Sequence, residues 1–177
     1  MEGSADTILL YNTTASSYDE LYREEQYSKY RVLVELAGER IRDALILDVG
    51  CGTGLLAEYL RDSRADTYSR YICLDPSEGM LARLLEKKLD HRVIPIVAYA
   101  EESPLKDSTV DLVLSITAWG NIKGKEKALG ELLRVARRGG LIIVSSHAKH
   151  KAPPPSIYNQ CFRLVAVHID EFYACSL

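Results

Sequence analysis

No stretch of this 177-residue sequence approaches the roughly 20 consecutive apolar residues that a membrane-spanning helix needs. The opening residues, Met1 to Asp6, lack the basic and then apolar profile of a secretory leader, so the expected location is cytoplasmic, with no membrane partner. Cysteine is scarce. The four residues Cys51, Cys73, Cys161 and Cys175 are scattered without C-x-x-C spacing, which speaks against a bound metal and against a disulfide framework. Reduced structural thiols are the expectation. Net positive charge is also missing: the formal charge of −3 excludes a generally basic nucleic-acid coat, though not a local basic patch. No internal repeat is present, and the one low-complexity tract is Pro153-Pro154-Pro155.

With 47% hydrophobic and 27% charged residues, neither a disordered nor a fibrous chain is indicated. The length suits one domain, residues 1–177, read as a helical cover over 1–42 and a core over 43–177, with no room for a second catalytic domain. From Ala44 onward, short β-rich runs alternate with amphipathic stretches, the pattern of βαβ units and a mostly parallel sheet. Seven strands are expected, at Ala44 to Val49, Tyr71 to Asp75, Val93 to Val97, Val110 to Ile116, Leu141 to Ser146, Phe162 to Ile169 and Glu171 to Leu177. The last two are joined too tightly for a crossover helix, so an antiparallel C-terminal hairpin closes a doubly wound α/β sheet.

Helices are expected at about Gly54 to Arg61, Ser77 to Lys88 and Lys125 to Arg137. Leu81, Leu84 and Leu85 form the buried stripe of the second, and Gly139-Gly140 turns the third into the next strand. Residues Tyr11 to Arg42 read as one or two further helices, packed through Val32, Leu33, Leu36 and Ala37.

The chemistry is concentrated in Ile46-Leu47-Asp48-Val49-Gly50-Cys51-Gly52-Thr53-Gly54, an apolar strand that enters a glycine loop and then a helix. Glycines permit positive φ and close approach of a ligand, while the helix N-terminus offers unpaired N–H groups. A dinucleotide fingerprint would need glycine at position 55, which is Leu55, so a nicotinamide cofactor is disfavoured. Asp48 places a carboxylate where a cationic amino group could be held and a pyrophosphate would be repelled. Further on, Tyr71-Ile72-Cys73-Leu74-Asp75 ends a second strand in an acid able to accept both hydroxyls of a ribose, followed by Pro76-Ser77-Glu78-Gly79-Met80. Alone, Asp75 would read equally as a helix cap or turn residue.

Together these segments resemble the class I, Rossmann-like S-adenosylmethionine-dependent methyltransferases, in particular the group containing the ubiquinone and menaquinone biosynthesis enzymes. The resemblance runs from about Tyr11 to Leu177. It implies S-adenosylmethionine as cofactor and S-adenosylhomocysteine as product, with Gly50, Gly52 and Gly54 facing the methionine part. Asp75 would bind the ribose, Pro76, Ser77 and Met80 would lie beside the adenosine, and Ala100 and Glu101 beside the adenine. Tyr11 and Tyr18 fall in the segment that folds over the cofactor in such enzymes, with plain helix packing as the other reading. Tyr99 stands where many relatives have Asp, and either packs on the adenine or belongs to a surface loop.

Acceptors should enter at the carboxyl ends of the strands, near Ser115 to Asn121. Ser115 is expected at the cofactor, and Thr117, Trp119, Asn121 and His147 on the acceptor side, without an assigned catalytic base. Trp119 either stacks on a planar acceptor or packs at the rim. The segment lacks an Asn/Asp-Pro-Pro-aromatic run and a nucleophilic cysteine, which leaves N or O as the methylated atom. Lys123, Lys125, Lys127, His147, Lys149, His150 and Lys151 suggest a basic rim and so an anionic acceptor, RNA first with an acidic protein or phosphorylated metabolite behind it, a merely solvated loop being the other reading. A small metabolite acceptor and a noncatalytic cofactor-binding partner subunit are the alternatives.

Overall fold

The computed structural model describes residues 2 to 149 and 152 to 177, with side chains from Ile8 onward. His150 and Lys151 of the expected rim lie outside the described residues. The chain opens with one long helix, α1 (Glu2–Ala37), rather than two; no proline interrupts it, and Gly38 at φ +52° supplies the left-handed residue that ends it. A 3-10 turn, Gly38–Ile41, leads to β1 (Leu45–Val49), α2 (Leu55–Asp62), β2 (Arg70–Asp75), α3 (Glu78–Glu86), β3 (Val93–Val97) and β4 (Val110–Ser115). After a short 3-10 turn at Trp119–Asn121 follow α4 (Lys125–Val135), β5 (Ala136–His147), a third such turn at Pro155–Ile157, β6 (Arg163–Val167) and β7 (Asp170–Ser176).

All seven strands form one sheet in the order β3-β2-β1-β4-β5-β7-β6. Pairing is parallel from β3 through β5 and antiparallel at β5–β7 and β7–β6, as the tight link before Asp170 requires. The doubly wound sheet with an antiparallel C-terminal hairpin is therefore the fold. Because side chains alternate along a strand, the sheet feeds two cores. On one face Ile46, Tyr71, Cys73, Leu112, Leu114 and Phe172 pack with α1, α2 and α3; on the other Leu47, Ile72, Leu74, Val113, Val144 and Tyr173 pack with α4 and Trp119. Strand order reverses between β1 and β4, and a crevice opens there at the carboxyl ends of the strands.

Three local expectations need correction. Leu85 is 62% exposed, because it sits one position past Leu84 and so about 100° off the stripe formed by Met80, Leu81 and Leu84. The third core helix ends at Val135, and Gly139-Gly140 lies inside β5 rather than before it. There Gly139 takes φ +78°, and a Cβ on Gly140 would stand 2.8 Å from the Arg137 carbonyl, so the pair serves an irregularity in the β4–β5 register. The third concerns cysteine: Cys161 and Cys175 form a disulfide with Cα atoms 5.1 Å apart, while Cys51 and Cys73 stay free. Folding back of the segment before β6 along β7 makes the pairing, a consequence of tertiary structure that spacing does not reveal.

Alkylation of denatured, unreduced protein is expected to label two thiols and, after reduction, four; four labels without reductant would refute the pairing. A loop of this size implies that Cys161→Ser lowers unfolding free energy by about 3 kcal/mol, read from urea midpoints.

Candidate functional site

The crevice is a cavity of about 440 Å³, a size typical of sites for small ligands (~300–1,000 Å³). Its floor is the β1–α2 glycine loop. Gly50 and Gly52 have φ of +76° and +56°; a Cβ on Gly50 would run into Ala118, whereas one on Gly52 meets nothing within 4 Å and would occupy ligand space. Asp75, at the end of β2, ties the loop down: its Oδ2 accepts the Gly52 N–H at 2.8 Å and its Oδ1 the Ser77 N–H at 2.8 Å. Burial raises its pKa, and those two bonds oppose the shift. A carboxylate offers about four lone-pair positions, so two remain for a pair of hydroxyls from the cavity. Ser77 caps α3, with its Oγ accepting the Met80 N–H at 3.2 Å.

Helix α1 forms the roof. Tyr11, Tyr18, Tyr22, Glu25 and Gln26 recur at helical spacing and all border the cavity. At its outer end Asn12 Oδ1 accepts from Ser77 Oγ at 2.7 Å and from the Gly79 N–H at 2.9 Å, and Asn121 Nδ2 donates to the Tyr11 hydroxyl at 2.9 Å. Burial pushes the Tyr11 and Tyr18 phenols above their usual range, which keeps both neutral. A belt of ion pairs holds its middle: Lys87 reaches Asp19 and Glu58, each at 2.6 Å, and Arg23 reaches Glu58 at 3.0 Å.

At the far end lies a buried charge. Lys29, with no exposed side-chain surface, pairs with Asp170 at 3.0 Å and with Glu25 at 2.7 Å. Asp170 also accepts from Ser145 Oγ at 2.6 Å and Thr117 Oγ1 at 2.8 Å, while Ser145 Oγ accepts the Thr117 N–H at 2.9 Å. Thr117 is thereby held at φ +62°, a backbone region that β-branched residues rarely enter and that is found where structure is committed to ligands.

Of the residues expected at the cofactor, Tyr11, Tyr18, Gly50, Gly52, Asp75, Pro76, Ser77, Met80, Ala100 and Glu101 border the cavity, as do Tyr99, Thr117, Asn121 and His147. Four others do not. Gly54 is needed for packing, since at φ +71° a Cβ would come within 2.7 Å of Leu84. Ser115 is wholly buried in β4. Trp119 is fully buried, donates Nε1–H to the Pro153 carbonyl at 2.7 Å and meets Tyr158 edge-on, so it serves as a core residue rather than a stacking platform. Asp48 lies beneath the loop, accepting the Tyr71 hydroxyl at 2.6 Å; burial lifts its pKa from the ordinary 3.8 to about 7, with the Tyr71 bond opposing and Asp75 adding to the rise. It is a buried support for the loop, directly beneath the cavity-lining Val49 and Gly50. Gln26, Ser146, Tyr22 and Glu25 escaped sequence reading. For Tyr22, Glu25 and Gln26 a signal existed in their spacing from Tyr18; for Ser146 there was none.

Two lysines of the expected basic rim are engaged within the fold. Lys127 pairs with Glu102 at 2.7 Å, and Lys125 folds back onto the Ile122 carbonyl and over the Trp119 ring. Glu101 accepts the Gly124 N–H at 3.0 Å from the same rim.

Residues 47–144 match a family model described as a methyltransferase domain. The ubiquinone/menaquinone biosynthesis C-methyltransferase UbiE of Campylobacter jejuni is 28% identical over 160 residues, covering 85% of this chain and 67% of that protein. A malonyl-[acyl-carrier protein] O-methyltransferase of Geobacter sulfurreducens is 33% identical over 133 residues, covering 74% and 49%. The chain thus spans about half to two thirds of these curated relatives. Among solved structures, an S-adenosyl-L-methionine-dependent methyltransferase described as putative, from Methanococcus maripaludis, superposes with a TM-score of 0.74 over 93% of this chain and 92% of that one; at 16% identity it speaks to the fold alone.

Two outcomes follow for stability. A carboxyl whose pKa is higher folded than unfolded binds more protons in the folded state, so the Asp48 contribution weakens as pH rises from about 4 to 7. Asp48→Asn is expected to remove a slope on the order of 4 kcal/mol over that window, read from urea midpoints at pH 4 and 8; an unchanged slope would refute it. Lys29→Met strands a buried carboxylate and is expected to cost about 3–5 kcal/mol, most of it recovered when Asp170→Leu is added. A mild single variant on the same urea assay would show the pair to be unimportant.

Proposed function

The chain belongs to the class I S-adenosylmethionine-dependent methyltransferase family, and on that premise we propose that it transfers the methyl group of S-adenosylmethionine to a small molecule enclosed beneath α1. The observation that carries this reading is one continuous cavity joining the Asp75 and glycine-loop end to the Thr117, Ser146 and His147 end, with α1 fastened across it at three places. The residues fit the cofactor. Gly52 opens directly onto the cavity, Asp75 has unused acceptor positions for the ribose hydroxyls, and the Ser77 cap lies beside them. When bound, S-adenosylmethionine supplies a methyl group activated on a sulfonium.

Such a transfer is an in-line displacement, in which alignment can supply about 7–11 kcal/mol of the barrier and water exclusion adds more. Helix α1 provides the exclusion. Asp75 and the glycine loop fix one partner, and Thr117, itself pinned by Asp170 and Ser145, borders the space for the other. We favour a small acceptor over RNA because two of the rim lysines, Lys127 and Lys125, are already engaged by Glu102 and by the Ile122 carbonyl and the Trp119 ring, and because α1 lies across a ligand-sized chamber. The two curated relatives, named for quinone C-methylation and carrier-protein O-methylation, differ in methylated atom, so neither assigns it here.

Calorimetry tests the reading. S-adenosylhomocysteine is expected to bind and NADH not to bind, with at least a ten-fold loss in Asp75→Ala and a smaller loss in Asp75→Asn, which keeps one acceptor oxygen. No binding by folded wild type would overturn it. Salt-sensitive binding of bulk transfer RNA, lost on replacing Lys123 and Lys149, would restore the macromolecular acceptor.

A further inference from the structure

We infer that the inner end of the cavity is a subsite for the amino group of a small amine, making nitrogen the methylated atom; this rests on the methyl-transfer reading above. The first observation is Ser146. Its residue is only 7% exposed and borders the cavity, yet its hydroxyl has no hydrogen-bond partner among the described residues. A buried hydroxyl left unpaired is costly, so a ligand that satisfies it gains binding. It faces the Gly120 side of the sheet edge, whereas Ser145, one residue earlier on β5, faces Asp170.

From the α1 side the wall carries proton acceptors. Gln26 turns Oε1 toward Thr117 at 3.4 Å, and Glu25 brings a carboxylate. Glu25 and Asp170 share the single ammonium of Lys29; the Lys29–Asp170 pair is wholly buried, so the excess negative charge rests on Glu25, whose side chain is 40% exposed and borders the cavity. Lys123, which borders the cavity elsewhere, is exposed to solvent. A carboxylate or phosphate acceptor would meet repulsion here. An amine would meet acceptors for its N–H bonds, and the ring of Tyr22, which borders the same cavity one helical turn before Glu25 and Gln26 on α1, is suited to a cationic product. In the reaction the amine lone pair forms the N–C bond to the methyl group and the C–S bond breaks with its electron pair left on sulfur. The proton of the resulting ammonium passes to the Glu25 carboxylate and on to water.

The test uses intact protein saturated with S-adenosylhomocysteine, titrated with matched probes: benzylamine and tyramine as amines, benzyl alcohol and hydroquinone as neutral analogues, benzoate as the anion. Amines are expected to bind at least ten-fold tighter than the others. Ser146→Ala is expected to weaken amine binding several-fold while leaving the urea midpoint unchanged or higher, since the hydroxyl has no internal partner to lose. Glu25→Gln is expected to erase the preference for benzylamine over benzyl alcohol. Equal or tighter binding of alcohols or benzoate, full amine affinity in Ser146→Ala, or no probe binding at all would overturn the inference while S-adenosylhomocysteine binding keeps the methyl-transfer reading intact. Failure of S-adenosylhomocysteine itself to bind would overturn both.

Discussion

The contact on which the site depends is the ion pair between Lys29 and Asp170, both without exposed side-chain surface. Burying two charges carries a desolvation cost of several kcal/mol each, repaid only where geometry and additional hydrogen bonds are good. Here they are supplied by Glu25, Thr117 and Ser145. The pair joins three segments distant in sequence: the roof helix, the loop after β4 and the start of β7. An apolar contact could hold the helix to the sheet as firmly, but it could not fix the Thr117 side chain or its positive φ. The polar cluster sets where α1 sits over the reaction space as well as whether it sits there.

The opposite end is organised by a similar economy of groups. Asp75 orders the glycine loop and the start of α3 with one oxygen each, and Asn12 on α1 is tied to the same turn through Ser77 and Gly79. The roof is therefore anchored at both ends by residues that also border the cavity or touch those that do. Opening α1 at either end disturbs the site it covers, which couples ligand access to the helix's own fastenings.

The sheet was legible because alternation and the glycine loop are local signals, and each of the seven strands falls where the pattern places it, apart from the early start of β5 and trimmed ends. The cofactor end was legible for the same reason: Gly50, Gly52, Asp75 and Ser77 act within two adjacent strand-to-helix turns. What failed depends on depth. Asp48 and Asp75 both place a carboxylate at the carboxyl end of a strand, yet one lies under the loop and one beside it. Trp119 looked like a rim aromatic, but its indole turns inward to Pro153, a contact 34 residues away. Lys29 reads as one more charge on a charged helix, because nothing local shows that Asp170 will meet it 141 positions later.

The rim lysines show why counting charges by segment misleads about partners. Three lysines follow β4 within five residues, but two are engaged by a carboxylate, a carbonyl or an indole face once the chain folds. The excess charge that reaches the cavity is instead negative, and it arises from Glu25 beside the buried Lys29–Asp170 pair, three residues dispersed in the sequence. At contact distance on the cavity wall one carboxylate influences a ligand more strongly than ammonium groups further out on the rim, whose fields are screened by solvent and salt. Acceptor charge is therefore better read from the residues that border the cavity than from the rim.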